Sequence, residues 1–125
     1  MIVGSGIDIV SLARIGSLYQ RHGARFLDKF LTAREMAAVA ALAHPVPRLA
    51  GRFAAKEAVM KALGTGWAHG VHFRQIEVLS APSGQPTVML SGAAAERCAA
   101  LGGRVWHLSI SHEQMMAVAL AILET

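Results

Sequence analysis

The chain has 125 residues, 54% of them hydrophobic and 16% charged, with a mean hydropathy of +0.42. That length suits one domain over residues 1–125, and so apolar a composition leaves more non-polar surface than a small monomer readily hides, so burial against copies of itself is expected. Twelve Lys and Arg against eight Asp and Glu give a net charge of +4, which favours an acidic macromolecule or a phosphate-rich ligand; the lone Cys98 excludes an intrachain disulfide and a cysteine-based zinc knuckle and fits a reducing cytoplasm.

In chain order, the opening MIVGSGIDIV has no basic residue ahead of its apolar part and meets Asp8 early, which makes a poor signal peptide. Ile7 and Ile9 alternate with Asp8 and Val10 at the period of a strand, and Ser11 then offers a helix cap before Leu12, Ile15 and Leu18. Gly23 marks a break. Thr32 with Glu35 three places on is a capping-box pattern opening a second helix through AREMAAVAALA. HPVPR, His44 to Arg48, is a connector whose Pro47 is placed to start a further helix, and that helix runs to about Leu63, where the glycines of GTG stop it.

HFRQIEVL and PTVML read as two strands joined by a turn in SAPSGQP, and Ser91 offers a cap for an alanine-rich helix ending at Gly102 and Gly103. RVWHLSIS and MMAVALAIL form a hairpin around HEQ. In the last strand Val118, Leu120 and Ile122 alternate with Ala117, Ala119 and Ala121, so one face carries bulk and the other is flat enough to pack closely on a helix. The most apolar run, Met115 to Leu123, is too short to span a bilayer, so a soluble protein with no membrane partner is expected. Antiparallel-looking strands with intervening helices argue an α+β fold.

The central helix contains a cation among core positions. At 100° per residue Leu49, Phe53, Met60 and Leu63 share a broad apolar stripe with Lys56, while Ala50, Ala54 and Ala58 form a small-residue face beside Glu57 and Lys61. The ordinary account has Lys56 snorkelling to the surface and Glu57 with Lys61 as a helix pair. A second carboxylate shifts the balance. Asp8 lies in a strand between two isoleucines, where it either reaches solvent, finds a cation or helps to hold a metal. Asp8 and Glu57, with water filling the remaining positions, would suit Mg2+, and lysines one turn away would meet the phosphates of the same ligand.

GIDIV at the start, AGRFAAKEAVMKALGTG in the middle and SISHE near the end resemble, in order and spacing over nearly the whole chain, the small holo-[acyl-carrier-protein] synthases of the 4'-phosphopantetheinyl transferase superfamily. The resemblance implies that family's α+β fold, an antiparallel sheet packed against helices, in a homotrimer with an active site at each subunit interface. It implies transfer of 4'-phosphopantetheine from coenzyme A to a serine of apo acyl carrier protein in the cytoplasm, for fatty acid biosynthesis and lipid metabolism. Asp8 and Glu57 match the family's magnesium ligands and Lys61 its basic residue near the pyrophosphate. Arg52, Phe53, Gly64 and Pro86 fall in segments lining the coenzyme A site, and His112 lies in the closing motif, contributed across the interface. Where the family often has Gly-Lys-Pro, this chain has Gly84, Gln85 and Pro86, so one cation is gone.

An acidic carrier calls for cations beside the site, and Arg14, Arg21 and Arg25 would lie along one stripe if their helix persisted past Gly23. Lys56 is expected to reach a ligand phosphate or a carboxylate across an interface. The histidine pairs, His69 with His72 and His107 with His112, lack a third ligand at metal spacing, so a structural zinc site is not expected. The rival reading is a non-catalytic basic module binding an acidic partner or nucleic acid, and an aromatic content of 6% with no aromatic-plus-basic strand speaks against nucleic acid.

Overall fold

The computed structural model describes residues Met1–Thr125. The elements run β1 (Ile2–Ser11), α1 (Leu12–His22), α2 (Ala24–Phe30), α3 (Ala33–Ala40), α4 (Val46–Leu63), a 3₁₀ turn (Phe73–Gln75), β2 (Ile76–Ser80), β3 (Pro86–Leu90), α5 (Gly92–Ala100), β4 (Val105–His112) and β5 (Met116–Glu124). Two antiparallel sheets result, one ordered β1-β5-β4 and the other a β2-β3 hairpin.

Register decides which side of the larger sheet meets α4. Gly6, Asp8 and Val10 stand opposite Ala121, Ala119 and Ala117, and these three alanines are fully buried or nearly so. The flat alanine face is thus real, and β1 extends it with glycine. A Cβ built on Gly6 would lie 2.0 Å from the Ala58 carbonyl oxygen, and one on Gly4 would lie 2.0 Å from that of Ala62. Only a strand without side chains at these points can press so closely on a helix backbone. The opposite face carries Ile7, Ile9, Val118, Leu120 and Ile122, and Ile7 and Ile9 remain 59% and 62% exposed.

Helix α4 is buried on most of its circumference, from Leu49 through Met60 and on to Leu63, because the sheet takes its alanine side and the remaining helices and β2 take its Leu, Phe and Met side. Pro47 lies in its first turn and Gly64 stops it in the left-handed conformation, φ 75°, as the sequence predicts. Ser11 caps α1, and Thr32 with Glu35 forms the full capping box on α3.

Three local expectations need correction. HFR does not extend the strand into β2; residues Phe73–Gln75 form a 3₁₀ turn, and Phe73 buries its ring there. Ser91 occupies the N-cap of α5 without a side-chain hydrogen bond. Helix α1 ends at His22, and Gly23, at φ 52°, redirects the chain into α2, so Arg14 and Arg21 share one helix while Arg25 rides on another. The single arginine stripe does not form. No helix is long and apolar enough to cross a membrane.

Candidate active site

Asp8 shares the sheet face of Gly6 and Val10, so its side chain points toward α4 rather than into open solvent. There it meets Lys61, whose Nζ lies 3.2 Å from Asp8 Oδ1 and 2.8 Å from the Ile7 carbonyl oxygen. Glu57, one turn earlier on α4, is half-buried beside them. Burial pushes the Glu57 carboxyl above its ordinary range and the Asp8 charge adds to that, while Lys61, the Trp67 indole N–H and Arg14 work against it. A strand carboxylate, a helix carboxylate and a lysine therefore converge at the edge of the sheet.

This donor set can be tested against the ion the sequence suggests. Asp8 and Glu57 repel one another, and no group of three or more His, Cys, Asp or Glu side chains forms a fuller cage anywhere in the chain. Two carboxylates fit Mg2+, which draws its remaining oxygens from water and ligand phosphates, and do not fit a closed zinc site.

Aromatic side chains run from the core up to this group. Phe30 packs edge-on against Phe53 and Phe73, the Phe53 and Phe73 rings are 5.1 Å apart, and Trp67 stands edge-on to Phe73 at 4.3 Å. The Arg14 guanidinium lies 5.8 Å from the Phe53 ring centre. Phe53 is thus largely a core residue whose outer edge is covered by a cation. Trp67 was not singled out by sequence reasoning; the available signal was an aromatic residue immediately after the glycines that stop α4.

Arg52, Pro86 and His112 also come together, in a different place. They line a cleft of about 250 Å³ with Arg48, Ser80 and Gly84, and Arg52 Nη2 donates to Ser80 Oγ at 3.0 Å. Burial lowers the Arg52 pKa, and the neighbouring Arg48 charge lowers it further, against an attraction to Glu35. Arg48, missed in the sequence, makes this cleft doubly cationic; its signal was the spacing of four from Arg52. Arg52 and Arg48 lie five and nine residues from Glu57, which puts them about 140° and 180° around the helix axis from it. Gly64 sits apart from both groups, where the Arg97 Nη2 would be 3.5 Å from an added Cβ and Arg97 Nε donates to the Leu63 carbonyl.

Lys56 belongs to neither group. It is fully buried, its Nζ 2.6 Å from Glu35 Oε1, with further bonds to the Phe30 and Phe73 carbonyls. The expectation of a ligand phosphate or an interfacial partner is overturned: the partner carboxylate is in the same chain. Sequence reasoning took Glu35 only as a cap, and its second role depends on α3 packing against α4.

The fold that carries this group, a sheet packed closely on a central helix, is that of the 4'-phosphopantetheinyl transferases. The pattern of that superfamily matches residues 4–119, and the chain belongs to it. Within the superfamily the similarity is to holo-[acyl-carrier-protein] synthases. The protein of that name from Solidesulfovibrio magneticus is 50% identical over 124 residues, 99% of each chain, and that from Koribacter versatilis is 49% identical over 124 residues, also 99% of each. The crystal structure of the synthase from Neisseria meningitidis superposes with a TM-score of 0.92 at 38% identity over the whole of both chains. That from Bacillus anthracis, in complex with CoA (3',5'-ADP), does so with a TM-score of 0.84 at 38% identity, covering 100% of this chain and 98% of the other.

Proposed function

We propose that this chain transfers the 4'-phosphopantetheine arm of coenzyme A to a serine of apo acyl carrier protein, releasing adenosine 3',5'-bisphosphate. The observation that carries the reading is the convergence of Asp8, Glu57 and Lys61 in a chain half identical to holo-[acyl-carrier-protein] synthases. Asp8 and Glu57 are the residues that would hold Mg2+, which when bound offsets negative charge on the pyrophosphate oxygens. Lys61 donates two of its three protons to Ile7 and Asp8, so one remains to face a phosphate oxygen. A base must take the serine proton; Glu57 acting through an intervening water is one candidate, and the turn from His112 to Glu113 holds the other.

The cationic cleft of Arg48, Arg52 and His112 suits the nucleotide end of coenzyme A, with Pro86 as its wall; Phe53 and Gly64, which the family resemblance also assigns to coenzyme A, lie outside this cleft. That cleft and the Asp8 group emerge on different sides of α4, so a complete site calls for one group from each of two copies. The exposed Ile7, Ile9 and Leu120 give a homotrimer an apolar face to bury, directly beside Asp8. Arg14, Arg21 and Arg25, all exposed, would receive the acidic carrier protein. The cytoplasm is the compartment for this reaction, with fatty acid biosynthesis, and so lipid metabolism, as its destination.

The test is mass spectrometry of an apo carrier protein incubated with the purified chain, Mg2+ and coenzyme A. The expected product is heavier by about 340 Da, the mass of the transferred phosphoryl-linked arm. An unchanged carrier mass at saturating substrate would overturn the proposal.

A further inference from the structure

We infer that Lys61 and a divalent cation compete for the Asp8 carboxylate, so that metal binding releases the Lys61 ammonium toward the ligand phosphates. The inference rests on the reading that Asp8 and Glu57 hold the ion. Its ground is the way Lys61 is held. The ammonium has two acceptors on one strand, the Ile7 carbonyl oxygen at 2.8 Å and Asp8 Oδ1 at 3.2 Å. The strand cannot drift from the lysine, because a Cβ on Gly6 would lie 2.8 Å from the Lys61 Cβ and 2.0 Å from the Ala58 carbonyl oxygen. The root of the lysine side chain and the backbone leading to Asp8 are packed into one another.

Charge makes that contact matter. The Asp8 charge adds to the cost of ionising Glu57, and Lys61, paired with Asp8 at 3.2 Å, offsets it. A divalent ion drawn to the same two carboxylates meets a resident positive charge on one of them, and like charges at contact distance oppose each other strongly. The Lys61 side chain is 52% exposed on a flexible four-carbon stem, so it has somewhere to go. It can leave Asp8 while keeping its bond to the Ile7 carbonyl, and its freed donor then faces the space a phosphate would enter. The coupling runs both ways: a diphosphate that draws Lys61 off Asp8 must tighten metal binding by the same factor by which metal tightens diphosphate binding.

The experiment measures Mn2+ binding calorimetrically, first without coenzyme A, to wild type, Lys61→Met, Lys61→Arg and Asp8→Asn. Lys61→Met is expected to bind Mn2+ about tenfold more tightly than wild type, the scale of removing a half-screened unit charge beside the ion, whereas Lys61→Arg stays close to wild type. Lys61→Gln, which keeps a polar group at this half-exposed position, must give the same order as Lys61→Met. Coenzyme A should then tighten Mn2+ binding less in Lys61→Met than in wild type. Equal or weaker Mn2+ binding by Lys61→Met and Lys61→Gln, with binding still abolished by Asp8→Asn, overturns the competition and leaves the metal reading standing. Mn2+ binding untouched by Asp8→Asn overturns the metal reading itself, and the competition with it.

Discussion

Lys56 Nζ and Glu35 Oε1 are 2.6 Å apart, and neither side chain is in appreciable contact with solvent. Glu35 also accepts the Thr32 N–H at 2.8 Å and the Val78 N–H at 2.9 Å, while Lys56 bonds to the Phe30 and Phe73 carbonyls. The pair thus ties α3, α4 and β2 together with the end of α2 and the 3₁₀ turn, and it fixes the rotation of α4 one residue before Glu57. Burial lowers the Lys56 pKa, and Glu35 opposes that shift. Such a pair is not a large net stabiliser, but breaking it is expensive, since the survivor is a buried unpaired charge. Lys56→Met is expected to lower the unfolding free energy by about 3–5 kcal/mol, with much of the loss recovered in Lys56→Met/Glu35→Gln. Urea denaturation of the two variants checks this; a single variant as stable as wild type would contradict it.

Gly6 sets the distance between Asp8 and α4. A methyl group there would overlap the Ala58 carbonyl at 2.0 Å and press on the Ala62 nitrogen at 2.8 Å, both of them backbone atoms inside a helix that cannot yield locally. Gly6→Ala must therefore lift β1. The expected loss is about 3 kcal/mol or more in stability, with Mn2+ affinity falling in parallel, because the strand that moves is the one carrying Asp8. Chemical denaturation and Mn2+ titration of the same sample test the linkage between packing and site.

Glu57 gives a pH signature. Its carboxyl binds a proton more tightly in the folded chain than in the unfolded one, mainly through burial and then through Asp8. A raised carboxyl pKa means that stability is lost as pH rises from the ordinary value of 4.5 through the higher folded-state value. Above that raised value the ionised group destabilises the fold. Glu57→Gln is accordingly expected to melt at a higher temperature than wild type at pH 7, the difference shrinking as the pH falls toward the ordinary glutamate range. Transfer activity should drop by about a hundredfold or more if Glu57 serves the reaction as proposed above. Melting curves at several pH values, alongside the carrier mass assay, separate the two effects.

The parts of this fold that were legible in the sequence are those set by short-range chemistry. Alternation gave the alanine face of the last strand, and Thr32 with Glu35 and Gly64 set helix ends correctly. What escaped were relations decided by tertiary packing. Lys56 sits among apolar positions because Glu35, 21 residues away in sequence, comes to meet it, and nothing in the local pattern of α4 records that partner. Arg25 looked collinear with Arg14 and Arg21 because spacing assumes an unbroken helix, which Gly23 ends. Asp8 stood out because a carboxylate between two isoleucines breaks a strand pattern, whereas Glu57 and Lys61 read as an ordinary helix pair until Asp8 was set beside them. Trp67 was not, because an aromatic in a glycine-rich loop breaks no such rule.

The broken arginine stripe alters the expectation for carrier binding. A groove of about 250 Å³ opens between α1 and α2, lined by Leu18, His22, Arg25, Phe26 and Lys29. Arg14 approaches the Glu57 side of the molecule over Phe53, while Arg25 lies at that groove, so the cations form a bent surface with apolar side chains between them. An acidic partner with its own apolar residues would use both components. Exposed charges act chiefly through encounter rate and are screened by salt, whereas the apolar contacts are not. Arg21→Glu and Arg25→Glu are each expected to reduce kcat/KM for the apo carrier by about tenfold at low salt, with the gap to wild type closing as ionic strength rises. Binding of coenzyme A alone should be unchanged in both, since neither arginine lines the Arg48 and Arg52 cleft. Phe26→Ala should instead produce a loss that salt does not diminish. Stopped-flow or steady-state kinetics across a salt series distinguishes these outcomes, and charge reversals that leave kcat/KM unaltered at low salt would remove α1 and α2 from the docking surface.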